Sequence, residues 1–352
     1  MNKLTNVNIE NLTMLPSPAQ VCSELPIALD SASRVIESRQ VVKDILTGRD
    51  PRHMIIVGPC SIHEPAAAIE YAKQLKKIAD EVSDRIYIVM RAYFEKPRST
   101  VGWKGLIYDP DINGSYNIER GIFMARTLLL KIVELGLPVA TEVLDPILVQ
   151  YIADTVSWAA IGARTTESQT HRQMASGLSM PVGFKNATDG SIQVALDAIS
   201  SARSRHSFIG VLEDGHVGIF RTKGNPYTHV VLRGGSSGPN FGAEHIAFIK
   251  VAMEKAKLKP AVVVVDCSHA NSKKQCSRQR IAFMDVIDQI ASGEKANVGT
   301  MLESYLQAGA QKIPAVGKPA PDISITDECI SWDETESLIR TAYDRLAPIF
   351  SK

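Results

Sequence analysis

The sequence predicts an α/β protein: a single (β/α)8 TIM barrel with an N-terminal arm and an inserted β-hairpin after the fifth unit. Short apolar runs rich in Val and Ile recur along the chain, and most are followed by an amphipathic segment with helical periodicity. The nearly continuous apolar run at 261–265 is typical of a parallel strand that is buried on both faces. A length of 352 residues accommodates one such barrel with insertions.

Each element follows from its own segment of the sequence. The eight predicted strands are 54–60, 86–91, 138–142, 159–164, 181–185, 229–233, 261–266 and 297–303. The predicted helices are 66–82, 117–135, 146–156, 191–202, 243–256, 279–292 and 332–346.

Three segments fall outside this alternation. Residues 94–114 form a long loop rich in Lys, Arg, Gly and Trp, and residues 207–228 are β-like and predict the inserted hairpin. Residues 1–40 precede the first strand, so we expect an N-terminal arm that packs on a neighbouring surface. The prediction is one barrel domain over 1–352.

Composition excludes several classes of function. The chain has 39 Lys and Arg against 38 Asp and Glu, a net charge of +1 that predicts no general nucleic-acid or membrane-surface binding. No apolar run approaches the roughly 18 residues of a membrane span, and the first residues do not resemble a secretory signal. The five cysteines are scattered without disulfide-like spacing, which favours thiols in a reducing compartment. We therefore expect a cytoplasmic protein.

Charged residues mark the ends of the predicted strands. Seven of the eight strands end in a charge and the first ends in Cys60; the seven are Arg91, Glu142, Arg164, Lys185, Arg233, Asp266 and Glu303. In a parallel barrel these ends converge on the face that carries the active site. Four cations brought together repel one another unless an anion binds there. The pattern therefore predicts an anionic ligand.

The loop after Arg91 adds Lys96, Arg98 and Lys104 to these cations. Arginine offers bidentate contacts to phosphate or carboxylate, and lysine offers a point charge. So many converging cations suit two phosphorylated or carboxylated substrates better than one phosphate.

A second constellation lies at the same strand ends. Cys60, His269, Glu303 and Asp327 offer a thiolate, an imidazole and two carboxylates. This donor set suits a divalent transition metal, Mn, Fe, Co or Zn, acting as a Lewis acid. The four residues are far apart in sequence, however, and a cysteine at a strand end also fits a small buried apolar residue. Spacing alone leaves both interpretations open.

Seven motifs together resemble the type I 3-deoxy-D-arabino-heptulosonate 7-phosphate (DAHP) synthases. They are GPCSIH (58–63), RAYFEKPRSTVGWKG (91–105), GARTTESQ (162–169), PVGFKN (181–186), LRGG (232–235), DCSHA (266–270) and SITD (324–327). The resemblance spans nearly the whole chain. Within the family, ASGLSMPVGFKN and VVDCSHA are most similar to the tyrosine-sensitive isoenzyme of enteric bacteria.

The resemblance implies a metal-dependent condensation of phosphoenolpyruvate with D-erythrose 4-phosphate, the entry step of the shikimate pathway. Carried over position by position, it places the metal on Cys60, His269, Glu303 and Asp327, and Lys96 beside the reacting atoms as a catalytic residue. It places phosphoenolpyruvate on Arg91, Lys96, Arg164, Lys185 and Arg233, and the sugar phosphate on Lys96, Pro97, Arg98 and Ser99. We expect Glu142 or the metal shell to position the water that adds to the phosphoenolpyruvate carbon.

The resemblance also implies regulation and assembly. The family uses the arm and the hairpin in subunit contacts and in an aromatic amino-acid feedback site, so we expect a homodimer or homotetramer. The expected inhibitor-site residues are Pro146, Gln150, Ser179, Phe208, Ile209 and Gly210. Glycine at 210 leaves room for a tyrosine hydroxyl, whereas serine fits the phenylalanine-sensitive pattern, so tyrosine is the expected inhibitor.

The sequence departs from the family pattern at a few positions. Ser99 and Ala187 replace the usual Thr and Gly, and residues 236–241 differ from the commoner Lys-X-Pro-Asn-Tyr and carry an extra residue. Two alternative functions remain: a sister 3-deoxy-octulosonate 8-phosphate synthase, and a catalytically idle phosphosugar-binding barrel that senses an amino acid. The Lys-Pro-Arg-Ser loop argues against the first, and the complete set of metal and cation positions argues against the second.

Overall fold

Eight parallel strands close into a barrel at the centre of the computed structural model, which describes residues 4–350. The strands are β1 (His53–Gly58), β2 (Ile86–Arg91), β3 (Val139–Glu142), β4 (Trp158–Ile161), β5 (Val182–Lys185), β8 (Thr228–Leu232), β9 (Val263–Asp266) and β10 (Asn297–Glu303). They neighbour one another in that order, and β10 pairs with β1 to close the ring. The predicted fold class is confirmed.

Nine α-helices lie within residues 4–350. They are α1 (Pro18–Glu24), α2 (Leu29–Leu46), α3 (Pro65–Glu81), α4 (Ile118–Glu134), α5 (Gln169–Ala175), α6 (Gln193–Ala202), α7 (Ala243–Lys255), α8 (Gln279–Ala291) and α9 (Trp332–Phe350). None of them is long and apolar enough to cross a membrane.

Alternation along the strands divides the core into two layers. Met54 and Ile56 of β1 pack inside the barrel, whereas Ile55 and Val57 pack outward in the layer beneath the helices. Successive side chains of a strand point to opposite faces, and both faces are buried here. This is why the strands read as unbroken apolar runs in the sequence.

Helix α2 covers the N-terminal end of the barrel. Its residues Val42, Ile45 and Leu46 join the inner core layer, and Arg39 donates to the carbonyl oxygens of Ala153 and Val156 just before β4. The predicted boundary of the arm at residue 40 lies inside this helix, and residues 1–3 of the predicted arm lie outside the described part of the chain. Val35, nearer the start of α2, packs in the outer layer instead.

The segment predicted as a helix at 146–156 forms two short 3-10 turns instead, Leu148–Tyr151 and Ala153–Thr155. Asp145 accepts hydrogen bonds from the backbone N–H groups of Ile147 and Leu148, which starts the first turn. The side chain of Arg126 donates to the carbonyl oxygen of Tyr151 over 2.8 Å, at the end of the first turn.

A separate two-stranded sheet follows α6. It consists of β6 (Ser207–Val211) and β7 (Val217–Arg221), which pair antiparallel with Gly210 opposite Gly218. The rings of Phe208 and Phe220 stack with their centroids 5.5 Å apart. The arm reaches this sheet, because the N–H of Ala19 donates to the carbonyl oxygen of Glu213 over 2.7 Å.

Candidate active site

A cavity of about 560 Å³ opens at the C-terminal ends of the barrel strands. Nine of the residues singled out in the sequence line it: Lys96, Pro97, Arg98, Glu142, Arg164, Lys185, Arg233, His269 and Asp327. A larger groove of about 760 Å³ lies between α3 and α4, but it is lined by helix residues and not by strand ends. The converging charges single out the strand-end cavity, since this face carries the active site in the fold.

One side of the cavity is cationic. Lys185 ends β5, Arg233 follows β8, and Arg164 stands three residues beyond the end of β4. Burial lowers the pKa of Arg233 and the like charge of Arg164 adds to that effect, while Asp266 opposes it. The like charges held together here favour binding of an anion.

Asp266 connects this cationic side with the opposite side. Its Oδ2 lies 2.9 Å from the Nζ of Lys185 and 2.9 Å from the Nδ1 of His269, and the carboxylate is fully buried. Burial alone would raise its pKa, but His269 and Lys185 hold the pKa of Asp266 well below its usual range. The carboxylate is therefore charged; it accepts a hydrogen bond from Lys185 and lies in ion-pair contact with His269.

Metal-ligating groups gather beside the cavity: Asp327 and His269 line its wall, whereas Cys60 and Glu303 are fully buried behind it. The ligand atoms of Cys60, Glu303 and Asp327 all lie within 4.8 Å of one another, and the Sγ of Cys60 is 3.6 Å from the Oδ2 of Asp327. His269, the fourth expected ligand, is not within that set. Its Nδ1 faces Asp266, an arrangement that typically orients an imidazole so that its Nε2 can bind a metal.

This donor set fits a divalent transition metal. One thiol and two carboxylates, with an imidazole nearby, form the mixed S, O and N set that such ions accept. Burial and the negative charge of Glu303 raise the pKa of Cys60 to about 11, so the thiol is protonated at neutral pH until a cation is present.

Buried cations balance these acidic groups. The Nη2 of Arg91 lies 2.9 Å from the Oε1 of Glu303, and the Nζ of Lys96 lies 3.0 Å from the Sγ of Cys60. Against the effect of burial, His269, Arg91 and Lys96 lower the pKa of Glu303. Glu303 is therefore ionised.

Arg91 lies outside the cavity wall. It is 1% exposed, its guanidinium stacks on the ring of Tyr93, and it donates to the carbonyl oxygens of Pro59 and Cys60. Ser99, on the exposed part of the long loop, is also not among the lining residues. Of the expected phosphoenolpyruvate residues, the cavity thus brings together Lys96, Arg164, Lys185 and Arg233.

The expected inhibitor-site residues lie away from this cavity. Pro146 and Gln150 belong to the segment after β3, Ser179 precedes β5, and Phe208 and Gly210 lie on β6. None of these five lines the strand-end cavity. The hydroxyl of Tyr151 donates to the carbonyl oxygen of Pro16 over 2.8 Å, so the arm also contacts the segment after β3.

Two residues that the sequence analysis missed hold Glu303 in place. The side-chain amide of Gln279 makes a double hydrogen bond with the backbone of Glu303, at 2.8 and 2.9 Å, and the hydroxyl of Ser268 donates to its Oε2 over 2.7 Å. Ser268 lies within the DCSHA motif, which was a usable signal. Gln279 begins α8, 24 residues away along the chain, and nothing local in the sequence marks it.

Comparison with known proteins adds family information to this geometry. The model of the DAHP synthetase I family matches residues 25–340. The Tyr-sensitive phospho-2-dehydro-3-deoxyheptonate aldolase of Salmonella typhimurium is 48% identical over 348 residues, which cover 98% of this chain and 96% of that protein. The Phe-sensitive enzyme of Escherichia coli is 49% identical over 335 residues, covering 95% of each chain.

A solved structure shows the same architecture. The phospho-2-dehydro-3-deoxyheptonate aldolase of Francisella tularensis superposes with a TM-score of 0.94 at 45% identity, over 97% of this chain and 99% of that one. Relatives sensitive to tyrosine and to phenylalanine are about equally similar to this chain, so overall identity does not distinguish between the two inhibitors.

Proposed function

The chain belongs to the DAHP synthetase I family, and on that premise we propose how its strand-end cavity works. The enzyme condenses phosphoenolpyruvate with D-erythrose 4-phosphate to give DAHP and inorganic phosphate, the first step of the shikimate pathway. The observation that carries the assignment of the site is the cavity itself. Six Lys and Arg side chains line it, beside a cluster of one thiol and two carboxylates.

Phosphoenolpyruvate occupies the cationic side of the cavity. Arg164, Lys185 and Arg233 bind its phosphate and carboxylate, and their mutual repulsion in the free enzyme favours binding of this anion. Arg91 supports the site from below by holding Glu303 and the carbonyl oxygen of Cys60. Lys96, Pro97, Arg98 and Ser99 of the long loop receive the sugar phosphate.

Cys60, His269, Glu303 and Asp327 hold a divalent cation, Mn, Fe, Co or Zn, on the other side. The family is metal-dependent, and the bound ion supplies Lewis-acid polarisation of the aldehyde oxygen. Asp266 orients the imidazole of His269, while Gln279 and Ser268 orient the carboxylate of Glu303.

The chain's own residues align the reacting carbons. The cationic residues hold phosphoenolpyruvate so that its methylene carbon faces the aldehyde carbon, where the new carbon–carbon bond forms. The ammonium of Lys96, 3.0 Å from the Sγ of Cys60, stabilises the oxygen that becomes negative and gives it a proton. Glu142, on the cavity wall, positions the water that adds to the phosphate-bearing carbon. One proton of this water replaces the one that Lys96 gave up, and the other leaves with the phosphate when the carbon–oxygen bond breaks and the ketone forms.

Tyrosine is the proposed feedback inhibitor, bound near Pro146, Gln150, Ser179, Phe208 and Gly210. Gly210 supports this choice, because a side chain there would meet the ring of Phe220 at 2.9 Å and reduce the space for a hydroxyl. We also propose a single catalytic domain with an arm at 1–40 and a hairpin at 207–228, assembled as a homodimer or homotetramer in the cytoplasm.

The test is consumption of phosphoenolpyruvate with erythrose 4-phosphate, after chelation and again after manganese is added, with tyrosine or phenylalanine present. We expect consumption that depends on metal and that tyrosine stops. Cys60→Ala should abolish it, whereas Cys22→Ala removes a thiol far from the cavity and should not. Absence of consumption with every divalent metal would favour the idle sensor, and activity with arabinose 5-phosphate would favour the sister synthase.

A further inference from the structure

Three buried asparagines surround the turn that follows β8. Asn186 comes directly after β5, Asn240 lies in the departing segment 236–241, and Asn271 lies in the loop after β9. Their exposures are 0%, 8% and 3%. A primary amide has an NH2 group that donates hydrogen bonds and an oxygen that accepts them, so three amides can pair with several backbone N–H and C=O groups at one place.

Two of the amides hold the backbone of Arg233 and Gly234. The Oδ1 of Asn186 accepts from the N–H of Arg233 over 2.8 Å, and the Oδ1 of Asn240 accepts from the N–H of Gly234 over 2.7 Å. The Nδ2 of Asn186 donates to the carbonyl oxygen of Gly234 over 3.0 Å, and the Nδ2 of Asn240 donates to Asn186 over 3.3 Å.

The third amide ties this turn to the next strand. The Oδ1 of Asn271 accepts from the N–H of Asn240 over 2.8 Å, and its Nδ2 donates to the carbonyl oxygens of Leu232 and Asp266. The ends of β5, β8 and β9 are thus joined through side-chain amides. Lys185, Arg233 and Asp266 stand at these same three ends.

The turn has no room for adjustment. Gly234 has a φ of +70°, and a Cβ there would lie 2.8 Å from the backbone nitrogen of Asn271. Within residues 4–350 the Arg233 guanidinium makes one hydrogen bond, a long one of 3.4 Å to the carbonyl oxygen of Gly234. The contacts of the side chain itself hold it weakly, so the backbone sets the position from which it extends into the cavity.

We propose that Asn186, Asn240 and Asn271 are positioning residues whose joined amides fix the backbone at Arg233 and so keep its guanidinium within reach of phosphoenolpyruvate. The inference rests on the proposed assignment of Arg233 to that substrate. It also gives a role to segment 236–241. Asn240 matches the Asn of the commoner Lys-X-Pro-Asn-Tyr pattern, although the residues around it differ from that pattern.

Asn240→Ala tests the proposal in steady-state kinetics. Loss of one buried hydrogen-bonding partner corresponds to roughly a tenfold change in an affinity. We expect the KM for phosphoenolpyruvate to rise about tenfold while the KM for erythrose 4-phosphate changes less than about twofold. Because Asn240 and Asn186 are bonded to each other, the Asn186→Ala/Asn240→Ala double variant should raise this KM by less than the product of the single effects.

Asn225→Ala is the matched control. Asn225 is 4% exposed and donates to the carbonyl oxygens of Ala175, Leu178 and Met180, away from the cavity. We expect it to lower the unfolding temperature without changing the KM for phosphoenolpyruvate. Asn240→Ser, which puts a small hydroxyl in place of the amide, replaces the alanine variant if that does not fold.

An unchanged KM for phosphoenolpyruvate in a folded Asn240 variant would overturn the proposal, and so would an equal rise in the control. Failure of the proposed function gives a different result. In that case the unaltered enzyme itself would consume no phosphoenolpyruvate.

Discussion

Asp266→Asn perturbs a carboxylate that connects the cationic side of the cavity with the expected metal ligand His269. The substitution keeps the size of the side chain and removes its charge. Asp266 is fully buried and lies 2.9 Å from both the Nζ of Lys185 and the Nδ1 of His269. An amide at this position leaves the Lys185 ammonium, itself 3% exposed, without its anionic partner.

The magnitude follows from these contacts. Removing one member of a buried ion pair typically costs about 3–5 kcal/mol, because the remaining charge stays desolvated and unpaired. Loss of the carboxylate that orients a metal-binding histidine typically lowers metal affinity about 10–100-fold. We therefore expect both effects in one variant. We also expect phosphoenolpyruvate to stabilise the variant more than the unaltered enzyme, since the anion replaces the missing charge beside Lys185.

The assays are urea unfolding, competition for manganese with a chelator, and thermal unfolding with and without phosphoenolpyruvate. Asp154→Asn is the control, because it removes a carboxylate that lies 2.7 Å from Arg126 and far from the cavity. The control should lower stability without changing manganese affinity. If Asp266→Asn bound manganese as tightly as the unaltered enzyme, His269 would not depend on Asp266 and the reasoning would be refuted.

Three further predictions concern regions outside the cavity. Gly210→Ser should weaken tyrosine inhibition at least about tenfold and leave uninhibited turnover unchanged, because the added side chain displaces the ring of Phe220. Tyrosine titrations that match those of the unaltered enzyme would contradict this placement of the inhibitor. Burial lowers the pKa of His53 to about 3 and that of His229 to about 4, so both are neutral when folded and take up protons on unfolding below about pH 6.5. The free energy of unfolding should therefore fall with decreasing pH between about 6.5 and 4, by up to about 1.4 kcal/mol per pH unit for each histidine. Urea midpoints across this range measure the fall in stability, and His53→Gln should make its dependence on pH less steep. Gly121→Ala should destabilise the protein by about 1–3 kcal/mol, because its Cβ would overlap a loop carbonyl oxygen; an unchanged thermal midpoint would show that α4 can move away from that loop.

The sequence by itself determined the barrel and its functional face. Strands such as β9 are apolar on both faces because they lie between an inner core layer and the helices. Each strand can therefore be recognised from its own short run of apolar residues in the sequence. The charges at the ends of β2, β5 and β10 could be assigned to one face, since parallel strands place their carboxyl ends together. Spacing left the metal hypothesis open, and resemblance to a family supplied the ligand set.

Only the tertiary structure decided how these groups contact one another. It buried Arg91 against Glu303, placed Asp266 between Lys185 and His269, and attached the amide of Gln279 to a strand end 24 residues away along the chain. It also placed α2 against the N-terminal end of the barrel. Such contacts join residues that no local periodicity connects, because a side chain's partner depends on barrel closure, register and loop path. The chain segments around each residue fix its element, but only the closed barrel fixes its partners.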